Sequence, residues 1–71
     1  MSKQEKINII EEVMEIKKGT LTEETVLADY DEWDSLAVIS LMAMMDTKFG
    51  KNIPIDKIKE IVVVADILEL F

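Results

Sequence analysis

Apolar and polar positions keep a helical rhythm over the first part of the chain, lose it, and regain it near the middle. Over residues 2–18, Ile7, Ile10, Val13 and Met14 recur at the three-and-four spacing of one helix face. Ile9 and Ile16 widen that stripe, and Lys17 continues its line. Ser2 followed by Glu5 has the form of a capping box, which sets the start of the helix. Lys17 and Lys18 suit the negative end of a helix dipole, and Gly19 readily takes the left-handed conformation that stops helices. The helix is therefore predicted to end near Lys17–Lys18.

Residues 20–34 have no sustained period. A connection of this length is uncommon in a small domain unless it is functional or held to the core. Leu21, Val26, Leu27 and Tyr30 are the side chains expected to hold it. The helical period returns over 35–49, where Val38, Leu41, Met42, Met45 and Phe49 form a core stripe. Asp34 or Ser35 supplies the cap, and Gly50 the stop. Pro54 restricts Ile53 to extended geometry. Asp56 is expected to cap a short helical turn reaching about Ile61. The β-branched run 61–64 reads locally as a strand, but no second strand is evident to pair with it. A buried connection is expected there, then a last helix over 65–71 with Asp66 and Glu69 toward solvent. The prediction is an all-α bundle of three main helices plus one short helix, with a long loop between helices 1 and 2 and residues 1–71 as a single domain.

Composition narrows the function. The chain has 71 residues and a net charge of −7, with neither Cys nor His. Arg is also absent. No thiolate nucleophile, imidazole base, Cys/His zinc site or bidentate guanidinium clamp is available. The acidic excess argues against nucleic acid and anionic membrane as partners. A binding or carrying module is expected rather than an enzyme. No apolar run, Ile61 to Ala65 included, comes near the length of a membrane span, and the start does not read as a signal peptide. A cytoplasmic monomer without membrane insertion is the expectation. The charge is also local. Glu23, Glu24, Asp29, Asp31, Glu32 and Asp34 stand in residues 21–34 with no lysine among them. Neutralising them, or adding a divalent cation, is expected to stabilise the fold. Asp29-x-Asp31-x-Trp33 begins like a calcium loop but lacks the glycine and the closing glutamate that such a loop needs. No metal site is expected.

Asp34-Ser35-Leu36 stands at a helix start after the acidic loop. A Ser or Asp there is commonly only a cap. The same position offers unpaired backbone N–H groups and the positive dipole end, which favour a phosphate esterified to Ser35. No base adjacent in sequence activates this hydroxyl, so modification by another protein suits it better than self-activation.

From Asp34 onward the sequence resembles the acyl carrier protein family. The resemblance rests on Asp34-Ser35-Leu36, Phe49-Gly50, Ile53-Pro54 and Val64-Ala65-Asp66, with the family's spacing and no gap. The first helix and long loop agree in length and type, so the resemblance spans the whole chain. It implies that a phosphopantetheinyl transferase uses coenzyme A and Mg²⁺ to attach 4′-phosphopantetheine to Ser35, with Asp34 in support. It further implies that acyl groups ride as thioesters on the arm's thiol, which explains how a chain without Cys or His carries acyl chemistry. Acyl-activating, acyltransferase or ketosynthase enzymes are the implied partners, and storage of acyl chains between the helices is a family trait that Met42 and Met45 would suit.

The sequence also departs from the family. Ala37, Ser40, Thr47 and Lys48 stand where acids are usual on the second helix, and Asp46 alone remains. Leu36, Ile39 and Ala43 fit the family's apolar contact positions. Met44 is expected on the outward arc with Ala37 and Ser40 as a further apolar contact. Trp33, beside the serine, either packs the loop onto the bundle or meets a partner or the arm. These departures suggest a specialised carrier for a dedicated pathway. An aminoacyl or peptidyl carrier, and a non-carrier helical interaction module, are the alternatives.

Overall fold

Ser2 and Glu5 close the capping box that their spacing predicts. The Glu5 N–H donates to Ser2 Oγ at 3.1 Å, and the Ser2 N–H donates to Glu5 Oε1 at 3.2 Å. The Ser2 backbone N–H, with its side chain, holds the Glu5 carboxyl below its ordinary value. In this computed structural model, which describes residues 1–71, the box opens α1, Lys3–Met14. Ile7, Ile10 and Met14 are buried, Val13 and Ile16 pack against the core from its edge, and Lys17 is exposed.

The stop of α1 is a correction to the predicted Lys17–Lys18. Glu15 takes the left-handed conformation, with φ 58°, and the Ile16 N–H donates to the Glu11 carbonyl at 3.0 Å. That is a Schellman-type stop, made without glycine. Its cause is the Glu11 side chain, which is buried. Glu11 Oε2 accepts the N–H groups of Gly19 and Leu21, each at 2.9 Å, and the chain must leave the helix and turn back to deliver them. Gly19 uses its φ of 92° in that return turn instead.

Three of the four expected side chains hold the loop that follows, and its backbone is tied down as well. Leu21 and Leu27 are buried and Tyr30 is half-buried, but Val26 is exposed. Leu27 sits in a 3-10 turn, Leu27–Asp29. Its N–H donates to the Val62 carbonyl, and the N–H groups of Val64 and Ala65 donate to the carbonyls of Thr25 and Glu23. Val26 and Val63 form an isolated antiparallel bridge. The 61–64 run thus does find a partner, in a loop with no strand period of its own. It is not wholly buried either, since Val62 is exposed and Val64 buried.

Helix α2 runs Ser35–Phe49, the predicted bounds, and stops at Gly50 with φ 63°. Leu41 and Met45 are buried, while Val38, Met42 and Phe49 are half-buried. Helix α3, Ile55–Lys59, follows Pro54, which serves as its N-cap without a side-chain bond. Asp56 lies inside the helix instead of capping it, because the Pro54 carbonyl already accepts from Lys57 and Ile58. Helix α4 is Val64–Leu68, shorter than the expected 65–71. Its first N–H groups are taken by the loop carbonyls. Asp66 Oδ2 accepts from Val63 and Val62, which holds its carboxyl below its ordinary value, Val63 contributing most. Asp66 is thus a cap and half-buried, not simply solvent-facing. Beyond α4 the chain tightens, with the Leu70 N–H on the Ile67 carbonyl, and Phe71 packs edge-on against Phe49 at 5.4 Å between ring centres.

The fold is all-α, with two long helices and two short ones around a core centred on Ile10, Leu27, Leu41, Met45, Val64 and Ile67. No helix is long and apolar enough to cross a membrane.

Candidate functional site

The start of α2 divides its labour between two adjacent residues. Asp34 is the N-cap, in extended conformation, and its Oδ1 accepts the Ala37 N–H at 2.9 Å. Ser35 is the first helical residue and is exposed. Its hydroxyl takes no part in the cap and stands at the positive end of a fifteen-residue helix.

From this end α2 presents an apolar outward stripe. Leu36 is 69% exposed and Ile39 61%, and Ala43 and Asp46 are exposed further along. Two expectations are corrected here. Ala37 is buried, and Met44 packs against the core at its margin, so neither lies on the outward arc. The reason is phase. Ala37, Leu41, Met44 and Met45 fall at i, i+4, i+7 and i+8, which is one face, and that face meets the core. Ser40 is half-buried between the two faces.

Beside Ser35 runs an open groove of about 570 Å³ between the first half of α2 and α3. Trp33, Val38, Ile39, Ile55, Ile58 and Ile61 give it an apolar lining. Trp33 is half-buried against the core and lines the groove as well, so it packs the loop down and also faces the site. Asp34 and Lys59 are the charged residues of the wall. The lining from α3 and Ile61 was not legible in the sequence, because no local pattern places Ile55, Ile58 and Ile61 beside Ser35. Lys59 carried no signal beyond its charge.

A free primary hydroxyl stands at a helix N-terminus next to a carboxylate and beside an apolar groove. These residues fit a covalently held phosphate ester with an elongated, mostly apolar tail. No three acidic side chains converge into a group that would hold a metal ion.

A family model described as a phosphopantetheine attachment site matches residues 7–71. No curated protein and no solved structure matches the chain.

Proposed function

The chain belongs to the phosphopantetheine-attachment family, and from that premise we propose that it is an acyl carrier whose arm is esterified to Ser35. Members of the family are carriers and not catalysts, and their prosthetic group is covalently attached 4′-phosphopantetheine. When bound, that group supplies the thiol on which cargo is held as a thioester. The observation that carries the assignment to Ser35 is the split at the start of α2. Asp34 satisfies the cap, so the Ser35 hydroxyl is left exposed and unengaged at the dipole's positive end.

Each nearby residue has a share in this reading. Asp34 fixes the helix start, and so the direction in which Ser35 points. It also offers its second carboxylate oxygen to the transferase. Leu36, Ile39 and Ala43 form the apolar strip on which the transferase and the acyl-handling enzymes dock, with Asp46 and the acidic loop at its rim. Trp33 and the isoleucines of the groove shelter the arm. The nearly neutral outward face of α2 supports a dedicated pathway over general fatty acid synthesis. A cytoplasmic setting supplies the coenzyme A that attachment needs.

The test is incubation with a broad-specificity phosphopantetheinyl transferase, Mg²⁺ and coenzyme A, followed by intact mass. One phosphopantetheine on the wild type and none on Ser35→Ala is expected. No addition to the wild type overturns the reading. Loading by an acyl-activating enzyme, and not by an amino-acid-activating one, is expected next. Elongation by a general ketosynthase as fast as on an ordinary carrier would refute the dedicated pathway.

A further inference from the structure

We infer that Lys59 is the residue that seats the phosphate of the arm, drawing its base into the groove between α2 and α3. The inference rests on the attachment at Ser35 proposed above and concerns where the arm goes once attached.

The surroundings of Ser35 are electrostatically unequal. Ser35 follows a segment with six acids and no lysine, and its immediate neighbour Asp34 is a carboxylate. A phosphodiester on Ser35 adds another negative charge at that point. The helix dipole offsets part of the repulsion. The other favourable charge is Lys59, the one cation among the residues that wall the groove beside Ser35. Lys57, two residues earlier on α3, lines a different depression with Glu60, Asp66 and Glu69. Lys59 is exposed and free to turn. The ion pair of the structure is Lys3 with Glu23, so no carboxylate holds the Lys59 ammonium. A flexible ammonium on a long stem, unpaired and beside an apolar groove, is suited to a phosphate whose tail must lie along that groove.

The consequence is directional. An arm that leaves Ser35 can run out into solvent or lie over Trp33 and Ile58. Attraction between the phosphodiester and Lys59 favours the second path, because both groups border the same groove.

A thermodynamic cycle tests this. The melting temperature is measured before and after attachment in the wild type, Lys59→Gln, Lys59→Arg and Lys57→Gln, with intact mass confirming one arm on each. Lys59 is exposed, so the variants fold. Attachment is expected to shift the melting temperature more favourably in the wild type than in Lys59→Gln by roughly 1–4 °C, the range of an exposed ion pair in a domain this small. Lys59→Arg retains the difference, Lys57→Gln matches the wild type, and high salt abolishes the difference. Side-chain resonances of Lys59 move on attachment, and Trp33 emission changes in the wild type but not in Lys59→Gln. An arm present on Ser35 with the same shift in wild type and Lys59→Gln overturns this inference alone. Failure of the arm to attach at Ser35 overturns the carrier reading, and this inference with it.

Discussion

The carboxylate of Glu11 accepts the backbone N–H of Leu21 at 2.9 Å, tying the first residue of the long loop that is buried to the middle of α1. The same oxygen also takes the Gly19 N–H, while Oε1 is buried without a partner. Removing the acceptor leaves the buried Leu21 N–H unsatisfied and the exposed Gly19 N–H to solvent. Glu11→Ala is expected to destabilise the fold by about 2–4 kcal/mol, since bonds to a charged group contribute most among hydrogen bonds. Glu11→Gln keeps an acceptor oxygen and is expected to lose less than half of that. Chemical denaturation of both variants checks the order.

Asp34 allows its two roles to be separated. Asp34→Ala is expected to lose about 1 kcal/mol with the cap. Asp34→Asn keeps a good cap and near-normal stability. If Asp34→Asn is nonetheless modified several-fold more slowly by the transferase, the charge itself assists attachment. Equal rates would confine Asp34 to capping.

Placing acids on α2 should give opposite results at a buried and an exposed position. Ala37 is 4% exposed, so Ala37→Glu buries an unpaired carboxylate and is expected to cost more than about 2 kcal/mol. Thr47 is exposed, and Thr47→Glu is expected to stay within about 0.5 kcal/mol of the wild type. Thermal melts distinguish the two. An Ala37→Glu variant as stable as the wild type would place that face outward after all.

The pH response is expected to have two parts of opposite sign. Screening the exposed acids of residues 21–34, Glu24, Asp29, Asp31 and Glu32 among them, with Mg²⁺ relieves repulsion and stabilises the fold, whereas acid also weakens the Glu23–Lys3 pair and the Asp34 cap. Asp66 and Glu5 act the other way. Their carboxyls are lowered in the folded state by backbone and serine donors, so their contribution is full above the ordinary values of 3.8 and 4.5 and is lost as pH falls through the lowered folded values. Mg²⁺ at neutral pH should therefore raise the melting temperature, whereas acid below pH 3.8 should cost the wild type more than Asp66→Asn. A melting temperature indifferent to both acid and Mg²⁺ contradicts this account.

Local signals made the start and stop of α2 legible, because Asp34, Ser35 and Gly50 act within one turn of their own positions. The end of α1 was not legible, because it is set by a contact from Glu11 to residues 19 and 21. A trace of it was present: Glu11 occupies i+4 from Ile7, on the buried stripe, where a carboxylate needs partners. The pinning of the loop by the carbonyls of Glu23 and Thr25 left no trace, since backbone groups are the same in every residue. The place of Ser35 at the helix start could be read from its neighbours in sequence. The groove beside it could not, because it exists only once α3 has packed next to α2.

Helix α3 is fastened to the rest by little: five residues, no side-chain cap, and Ile58 as its one buried side chain. Helices α1 and α4 and the loop, by contrast, are tied through the core and through shared backbone bonds. One wall of the groove is therefore expected to be less protected than α1 and α2, its amides exchanging with solvent through local openings well before theirs. The volume available beside Ser35 is thus a property of an ensemble. On the carrier reading proposed above, a bulky cargo would gain room there by displacing a five-residue helix, without drawing on the cooperativity of the whole domain.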